Sequence, residues 1–301
     1  MTLTVERADS TATSVRKQMA DFLALTKPRL VLMVLIATLA GFYLGSLGEF
    51  DWIRLLNTIV GTALAAGGTI ALNQYIERDL DAKMRRTRFR PLPDGRVKPA
   101  GALTFGVAIS AGGVLYLLLA VNALSSLLAA LTVTSYIFLY TPMKRKTPLC
   151  TFVGAIPGAL PPMGGWVAAQ GSLGFEAWVL FAIMFFWQVP HSLAIAWMYR
   201  ADYERAGFKL LPVIHPDGRS TGHQVVNNCL ALLTVGLIPT LIGLAGPKYF
   251  VTALLLGIVF LGYGVRFAVL RTTVAARRLL LASYLYIPLQ LGMMSFDRVR
   301  F

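Results

Sequence analysis

Acidic residues are scarce in this chain. Asp and Glu together number 14 in 301 residues, and charged residues of either sign make up only 14%. A soluble single-core protein needs a more charged surface, so the solvent for most of this chain is lipid rather than water. Cysteine is nearly absent: Cys150 and Cys229 form no Cys-x-x-Cys pair and no Cys/His cluster, which excludes a disulfide scaffold and a zinc ribbon. A strictly alternating polar pattern is also missing, which argues against a transmembrane barrel. The first 27 residues hold no short apolar stretch ahead of a small-residue cleavage site, so the first span is expected to serve as the insertion signal.

What is present is length in apolar runs. Hydrophobic residues make up 56% of the chain, and nine runs of spanning length occur at 28–47, 53–77, 100–121, 123–140, 150–170, 174–197, 223–244, 248–268 and 278–296. Only helices satisfy their own backbone in lipid over such runs. The expected fold is all-α and polytopic, with nine transmembrane helices over residues 27–301, a flexible tail over 1–26, and polar cap segments at 77–99 and 198–222. The net charge of +14 suggests nucleic acid at first sight, but no soluble domain remains to carry a basic face once the spans are removed. Topology accounts for it instead. With the N-terminus cytoplasmic, 24 of the 28 Lys and Arg fall on the inner side, and only Arg54, Lys248, Arg298 and Arg300 fall outside. The C-terminus is then expected on the opposite side of the cytoplasmic (inner) membrane, and the active site near its cytoplasmic face.

The two cap segments contain seven of the 14 acids, which positive-inside insertion does not require. In Asn73-Gln-Tyr-Ile-Glu77-Arg-Asp79-Leu-Asp81 an amide and two carboxylates recur every four residues and share one helical face. Such a row suits Mg²⁺, a hard cation held by one or two carboxylates together with substrate phosphates. The competing reading pairs these acids with Arg78, Arg85, Arg86 and Arg88 at a solvated helix end. The membrane-boundary position of Asn73 and Glu77 favours a cavity-facing role. Among the cations downstream, Arg88 and Arg90, just ahead of Pro91-Leu92-Pro93, are the preferred phosphate-binding pair.

The second segment carries Asp202 and Glu204, candidates for a second metal-binding arm; a solvated loop with local Arg pairs is the alternative. Lys144 and Lys146, in the connector after the fourth span, are phosphate or propionate candidates, or topology determinants only. Tyr140 at that border is placed to face an allylic cation with its ring. His191 lies within a span after Pro190 and is either a hydrogen-bonded packing residue or a substrate contact.

These residues resemble the protohaem IX farnesyltransferase (haem O synthase) branch of the UbiA-type intramembrane prenyltransferases. The likeness runs through Leu25-Thr-Lys27-Pro28-Arg29, Asn73 to Asp81, Met84-Arg-Arg-Thr87-Arg88-Phe-Arg90-Pro91-Leu92, Tyr140-Thr-Pro142, Gly158-Ala-Leu-Pro161-Pro162 with Gly165-Trp166, Gln188-Val-Pro190-His191, and Asp202-Tyr203 with Ala206-Gly207 and Leu211-Pro212. It implies a nine-helix bundle around a lateral cavity and Mg²⁺-dependent transfer of a farnesyl group from farnesyl diphosphate to a vinyl group of haem B, the acceptor substrate. Under it Asn73, Glu77, Asp81 and Asp202 are the metal-binding and catalytic set. Lys27 joins Arg88, Arg90, Lys144 and Lys146 around the diphosphate, and Tyr203 joins Tyr140 and His191 in the substrate cavity. A downstream haem-modifying enzyme or a terminal oxidase assembly is the implied partner. The sequence departs from the family pattern in having Glu77 where Asp is usual, and in offering Asp202 with nearby Glu204 rather than two Asp four apart. An aromatic quinone precursor as acceptor, and a non-enzymatic membrane transporter or haem-handling factor, are the other readings.

Overall fold

The structure is a computed structural model that describes residues 16–299. The first part of the expected tail, residues 1–15, lies outside the described residues, as do 300 and 301. Among the described residues there is no strand, only one bridge between Ala245 and Arg298. Nine long helices follow one another: α1 (Pro28–Gly45), α2 (Trp52–Asp81), α3 (Pro99–Ala120), α4 (Ala123–Met143), α5 (Cys150–Gln170), α6 (Phe175–Met198), α7 (Arg219–Leu241), α8 (Pro247–Leu270) and α9 (Thr273–Phe296). Residues 16–25, expected as part of a tail, form a further helix instead. Arg96 ties it down by pairing with Asp21, while also binding Asp94 at 2.8 Å and the Phe89 carbonyl at 2.9 Å.

Local chemistry sets many of the boundaries. Pro28, Pro99 and Pro247 open their helices at positions where no backbone donor is needed. Asp51, Asn122 and Thr272 cap others by accepting from Arg54, Ser125 and Ala275 backbone N–H groups. Several helices outrun their apolar stretches. α2 reaches Asp81 rather than ending near 77, because backbone hydrogen bonding continues where hydropathy stops. At 30 residues it is about 45 Å long, well beyond a hydrocarbon core of about 30 Å, so its last turns stand at or past the membrane boundary.

Eight of the nine helices are long and apolar enough to cross a membrane. The exception, α5, contains Pro157, Pro161 and Pro162 and several glycines, which lower its hydropathy without breaking the helix. It is nonetheless central, packed on α1, α4 and α6. α2 pairs with α3, α6 also meets α7 and α9, and α8 lies between α7 and α9. Lipid-facing surfaces are apolar, as in Leu32, Met33, Ile36 and Leu39 of α1 and Val251, Leu255, Ile258 and Val259 of α8, all exposed. At the end remote from the polar caps, Arg298 donates to the carbonyls of Tyr43, at 2.7 Å, and Ser46, tying the end of α9 to the end of α1.

Helices approach closely where small residues replace bulky ones. A Cβ at Gly165 would meet the backbone carbonyl oxygen of Thr38, and one at Gly41 the carbonyl of Pro162. Neither neighbour is a side chain that can turn away. Gly165→Ala is therefore expected to force α1 and α5 apart and to lower stability by about 1–3 kcal/mol, read as a lower Tm in detergent, whereas Gly164→Ala, with open space around it, leaves Tm unchanged.

Candidate active site

The face of α2 that carries Thr69, Asn73, Gln74, Glu77 and Asp81 is buried. An ionised carboxylate in that setting requires a cation, and each acid has its own. Glu77 binds Lys144 Nζ at 2.8 Å and Asp81 binds Arg90 Nη1 at 2.6 Å, with the two carboxylates only 8% and 1% exposed. Asn73 Nδ2 donates to Thr141 Oγ1 at 3.1 Å, and the Thr141 hydroxyl itself donates to the Tyr136 carbonyl at 2.8 Å. That relay fixes the amide so that its oxygen stays available on the acidic face.

The cations come from three directions. Arg90 arrives from the turn after α2, where Thr87 Oγ1 donates to the Asp81 carbonyl at 2.8 Å. Lys144 follows a six-residue π-helical segment, Ser135–Tyr140, at the end of α4; such segments recur at functional sites. Lys144 sits 4.4 Å over the Tyr140 ring. Lys27 is the third. It adopts a left-handed backbone, φ 48°, unusual for a residue with a side chain, and just upstream Gln74 Nε2 donates to the Leu25 carbonyl at 2.5 Å.

Burial pushes the Lys27 ammonium down to about 7, and the nearby Arg90 and Lys144 charges add to this while Asp81 and Glu77 oppose it. Burial also works against the Lys144 ammonium, but the Glu77 carboxylate and its hydrogen bond outweigh it and hold Lys144 above its ordinary value. Three cations thus surround two acids, with one of them close to releasing its proton. The arrangement is suited to receiving an anion.

The other expected residues divide. Arg88 and Lys146 do not converge on this group. Arg88 is exposed and lies 4.6 Å over the Phe89 ring, and Lys146 is exposed in the connector. Lys146 does line a cleft with Ile76, Glu77, Thr141 and Arg145 beside the acidic row. Asp202 pairs with Arg205 and accepts from the Arg86 backbone N–H at 3.4 Å, while Arg86 donates to the Tyr203 hydroxyl at 3.3 Å. The second cap segment is therefore fastened to the first, over a small apolar cluster of Met84, Ala206 and Phe208. Lys209 N also donates to the Lys144 carbonyl at 2.7 Å. Glu204 is exposed. Among the described residues no three His, Cys, Asp or Glu side chains form a metal-ligand cluster. The oxygen donors on one face are Asn73, Glu77 and Asp81, and this hard-oxygen set fits Mg²⁺.

Below Asn73 an apolar cavity opens between α1, α2, α4 and α5, lined by Val34, Thr69, Leu128, Ala129, Leu160 and Pro161. Sequence reasoning missed Thr141 as the partner of Asn73, although it stands inside the Tyr140-Thr-Pro142 element.

A polar anion-receiving end above an apolar pocket, inside a helical bundle, is a fold with known counterparts. The UbiA prenyltransferase family model matches residues 34–287. The chain belongs to the UbiA prenyltransferase family. A relative named protoheme IX farnesyltransferase, from Solibacter usitatus, is 52% identical over 289 residues, covering 93% of this chain and 99% of the relative. Among solved structures, one of digeranylgeranylglyceryl phosphate synthase superposes with a TM-score of 0.80 at 14% identity, covering 93% of this chain and 98% of the other. A UbiA homologue from Archaeoglobus fulgidus bound to GPP and Mg²⁺ superposes with a TM-score of 0.63 at 17% identity, covering 91% and 99%. These two share the UbiA fold.

Two outcomes are expected. Lys144→Met strands the Glu77 carboxylate and costs about 3–5 kcal/mol, whereas Lys146→Met stays within about 0.5 kcal/mol; thermal unfolding in detergent separates them. Lys27 is protonated below about pH 7 and neutral above it, so the affinity for inorganic diphosphate is full at pH 6 and falls as pH rises past 7. In Lys27→Gln a calorimetric titration loses that step.

Proposed function

We propose that this protein transfers a farnesyl group from farnesyl diphosphate to a vinyl group of haem B, with addition of water, releasing diphosphate and haem O. The observation that carries the proposal is the 52% identity, over nearly the full length of both chains, to a relative named protoheme IX farnesyltransferase. The site supports it: an anion-receiving end, an oxygen-donor row for a divalent metal, and an apolar pocket directly below.

In this reading Lys27, Arg90 and Lys144 bind the diphosphate, and Asn73, Glu77 and Asp81 hold Mg²⁺. The metal supplies neutralisation of the charge that builds on the departing diphosphate. The farnesyl chain runs into the cavity below Asn73. When the allylic carbon–oxygen bond breaks, both electrons leave with the diphosphate, and the Tyr140 ring stands at the border where the allylic cation forms. The terminal carbon of the haem vinyl group supplies the electron pair for the new carbon–carbon bond. The cation left on the carbon next to the porphyrin is captured by water, which loses a proton to give the hydroxyethylfarnesyl group. The buried, apolar surroundings keep bulk water from the allylic cation before that bond forms. Asp202, joined to Arg86 and Arg205, approaches from the second segment as the further acid of the set, with Tyr203 beside it; Arg88 and Lys146 attract substrate anions from the rim.

The distribution of Lys and Arg supports a cytoplasmic N-terminus and a site near the cytoplasmic face of the inner membrane. A farnesylated haem remains in the bilayer, which supports delivery by lateral contact to a haem-modifying enzyme or a terminal oxidase assembly.

The test is an assay of purified protein with haem B, farnesyl diphosphate and Mg²⁺, read by mass spectrometry. Haem O is the expected product; a prenylated aromatic acid formed instead, with haem unchanged, overturns the reading. Asp81→Asn is expected to lower turnover by at least about a hundredfold while the protein retains its elution profile and helical spectrum.

A further inference from the structure

His191 stands on α6, three residues after Gln188, and its surroundings define its protonation. Ser283 of α9 donates its hydroxyl proton to the Leu280 carbonyl at 2.6 Å. Its oxygen therefore meets His191 Nδ1, 2.7 Å away, as an acceptor. The imidazole must carry its proton on Nδ1, which leaves Nε2 with a lone pair. Among the described residues Nε2 has no protein partner, and the residue is only partly buried. The ring is held rigidly. Trp187 stacks on it with centroids 4.8 Å apart and an interplanar angle of 24°, and Trp187 is itself fixed by its Nε1 donating to the Ser283 carbonyl at 2.9 Å. Tyr284 closes the edge at 5.3 Å.

This is the arrangement of a metal-binding imidazole: one nitrogen donates to a fixed acceptor and orients the ring, and the other presents its lone pair. No acid or cysteine accompanies it, so a bare divalent ion has nothing further to bind. A metal that brings its own equatorial ligands fits, and a metalloporphyrin is such a ligand. The position also connects to the chemistry. Lys144 covers Tyr140, the Tyr140 ring abuts Gly154, and Gln188 Nε2 donates to the Gly154 carbonyl at 3.4 Å. His191 thus follows, one turn on, the residue that touches the wall of the diphosphate end. Tyr284, beside the imidazole, is 54% exposed, so this side of the ring lies at the outer surface of the bundle.

We propose that His191 Nε2 binds the iron of the haem acceptor, with Ser283 as the positioning residue, so that iron ligation sets which porphyrin edge faces the allylic carbon. This rests on the haem-acceptor reading above. It makes the metal part of substrate recognition.

The experiment uses the purified full chain in detergent, without farnesyl diphosphate. Wild type titrated with ferric haem B is expected to give the absorption and electron paramagnetic resonance spectra of imidazole-ligated haem. His191→Gly loses them, with a Kd for haem at least about tenfold weaker, and added imidazole restores them. Ser283→Ala gives a smaller, several-fold loss and a shifted spectrum. Binding of farnesyl diphosphate to His191→Gly reports that the variant is folded. A measurement without any variant accompanies this: wild type is expected to bind haem B at least about tenfold more tightly than metal-free protoporphyrin IX. Equal affinity for the two porphyrins, or an unchanged spectrum and Kd in His191→Gly, overturns the ligation proposal while leaving the acceptor reading intact. Failure of wild type to bind any porphyrin overturns both.

Discussion

Glu77 and Asp81 are carboxylates on a helix that faces hydrocarbon over most of its length, and both are buried. That setting obliges each to meet a cation, and the identity of those cations organises the polar end of the molecule. Arg90 lies nine residues from Asp81 and draws the chain after α2 back over its own helix end. Lys144 lies 67 residues from Glu77 and brings the end of α4 against α2. Because the Lys144 carbonyl also accepts from Lys209, the segment after α6 is registered against the same pair. Two ion pairs thus fix the relative placement of three regions that hydrophobic packing alone, being non-directional, would leave free to slide.

The same pairs leave the site poised. Lys27, set in a left-handed backbone beside Arg90, is a cation crowded by cations. Burial and those neighbours both disfavour its charge. The helix over residues 16–25 supports this placement through the Gln74 contact to Leu25 and the Arg96 contact to Asp21, so the region preceding α1 is part of the site's framework.

The spans were readable because a lipid solvent demands apolar runs, and the Asn73, Glu77, Asp81 face because four-residue spacing on a helix is geometric. Other features depended on tertiary contacts. Arg88 and Arg90 are equivalent as sequence, and only the turn pinned by Thr87 sends one inward to Asp81 and the other outward over Phe89. Asp202 is a ligand candidate by its sequence, and what the sequence does not reveal is that it also fastens the two caps through Arg86, a contact spanning 116 residues. The 16–25 helix is polar in composition, so the sequence suggests a tail there, and its anchors, Gln74 and Arg96, lie in other segments of the chain. The protonation of His191 was out of reach without Ser283, 92 residues away. Helix ends shift from the apolar runs by up to five residues, as at the start of α9, because hydropathy marks where lipid ends, not where hydrogen bonding does.

The Arg298 clamp bears on how the molecule is made. Its carbonyl partners, Tyr43 and Ser46, precede it by 255 and 252 residues, so the contact forms only after all nine helices have been synthesised. The Tyr43 carbonyl also accepts from the Ser46 backbone N–H at 3.3 Å, so Arg298 adds a second, charged donor at the end of α1. Joining α9 to α1 is therefore a contact of high sequence separation, available only once the last helix has been made.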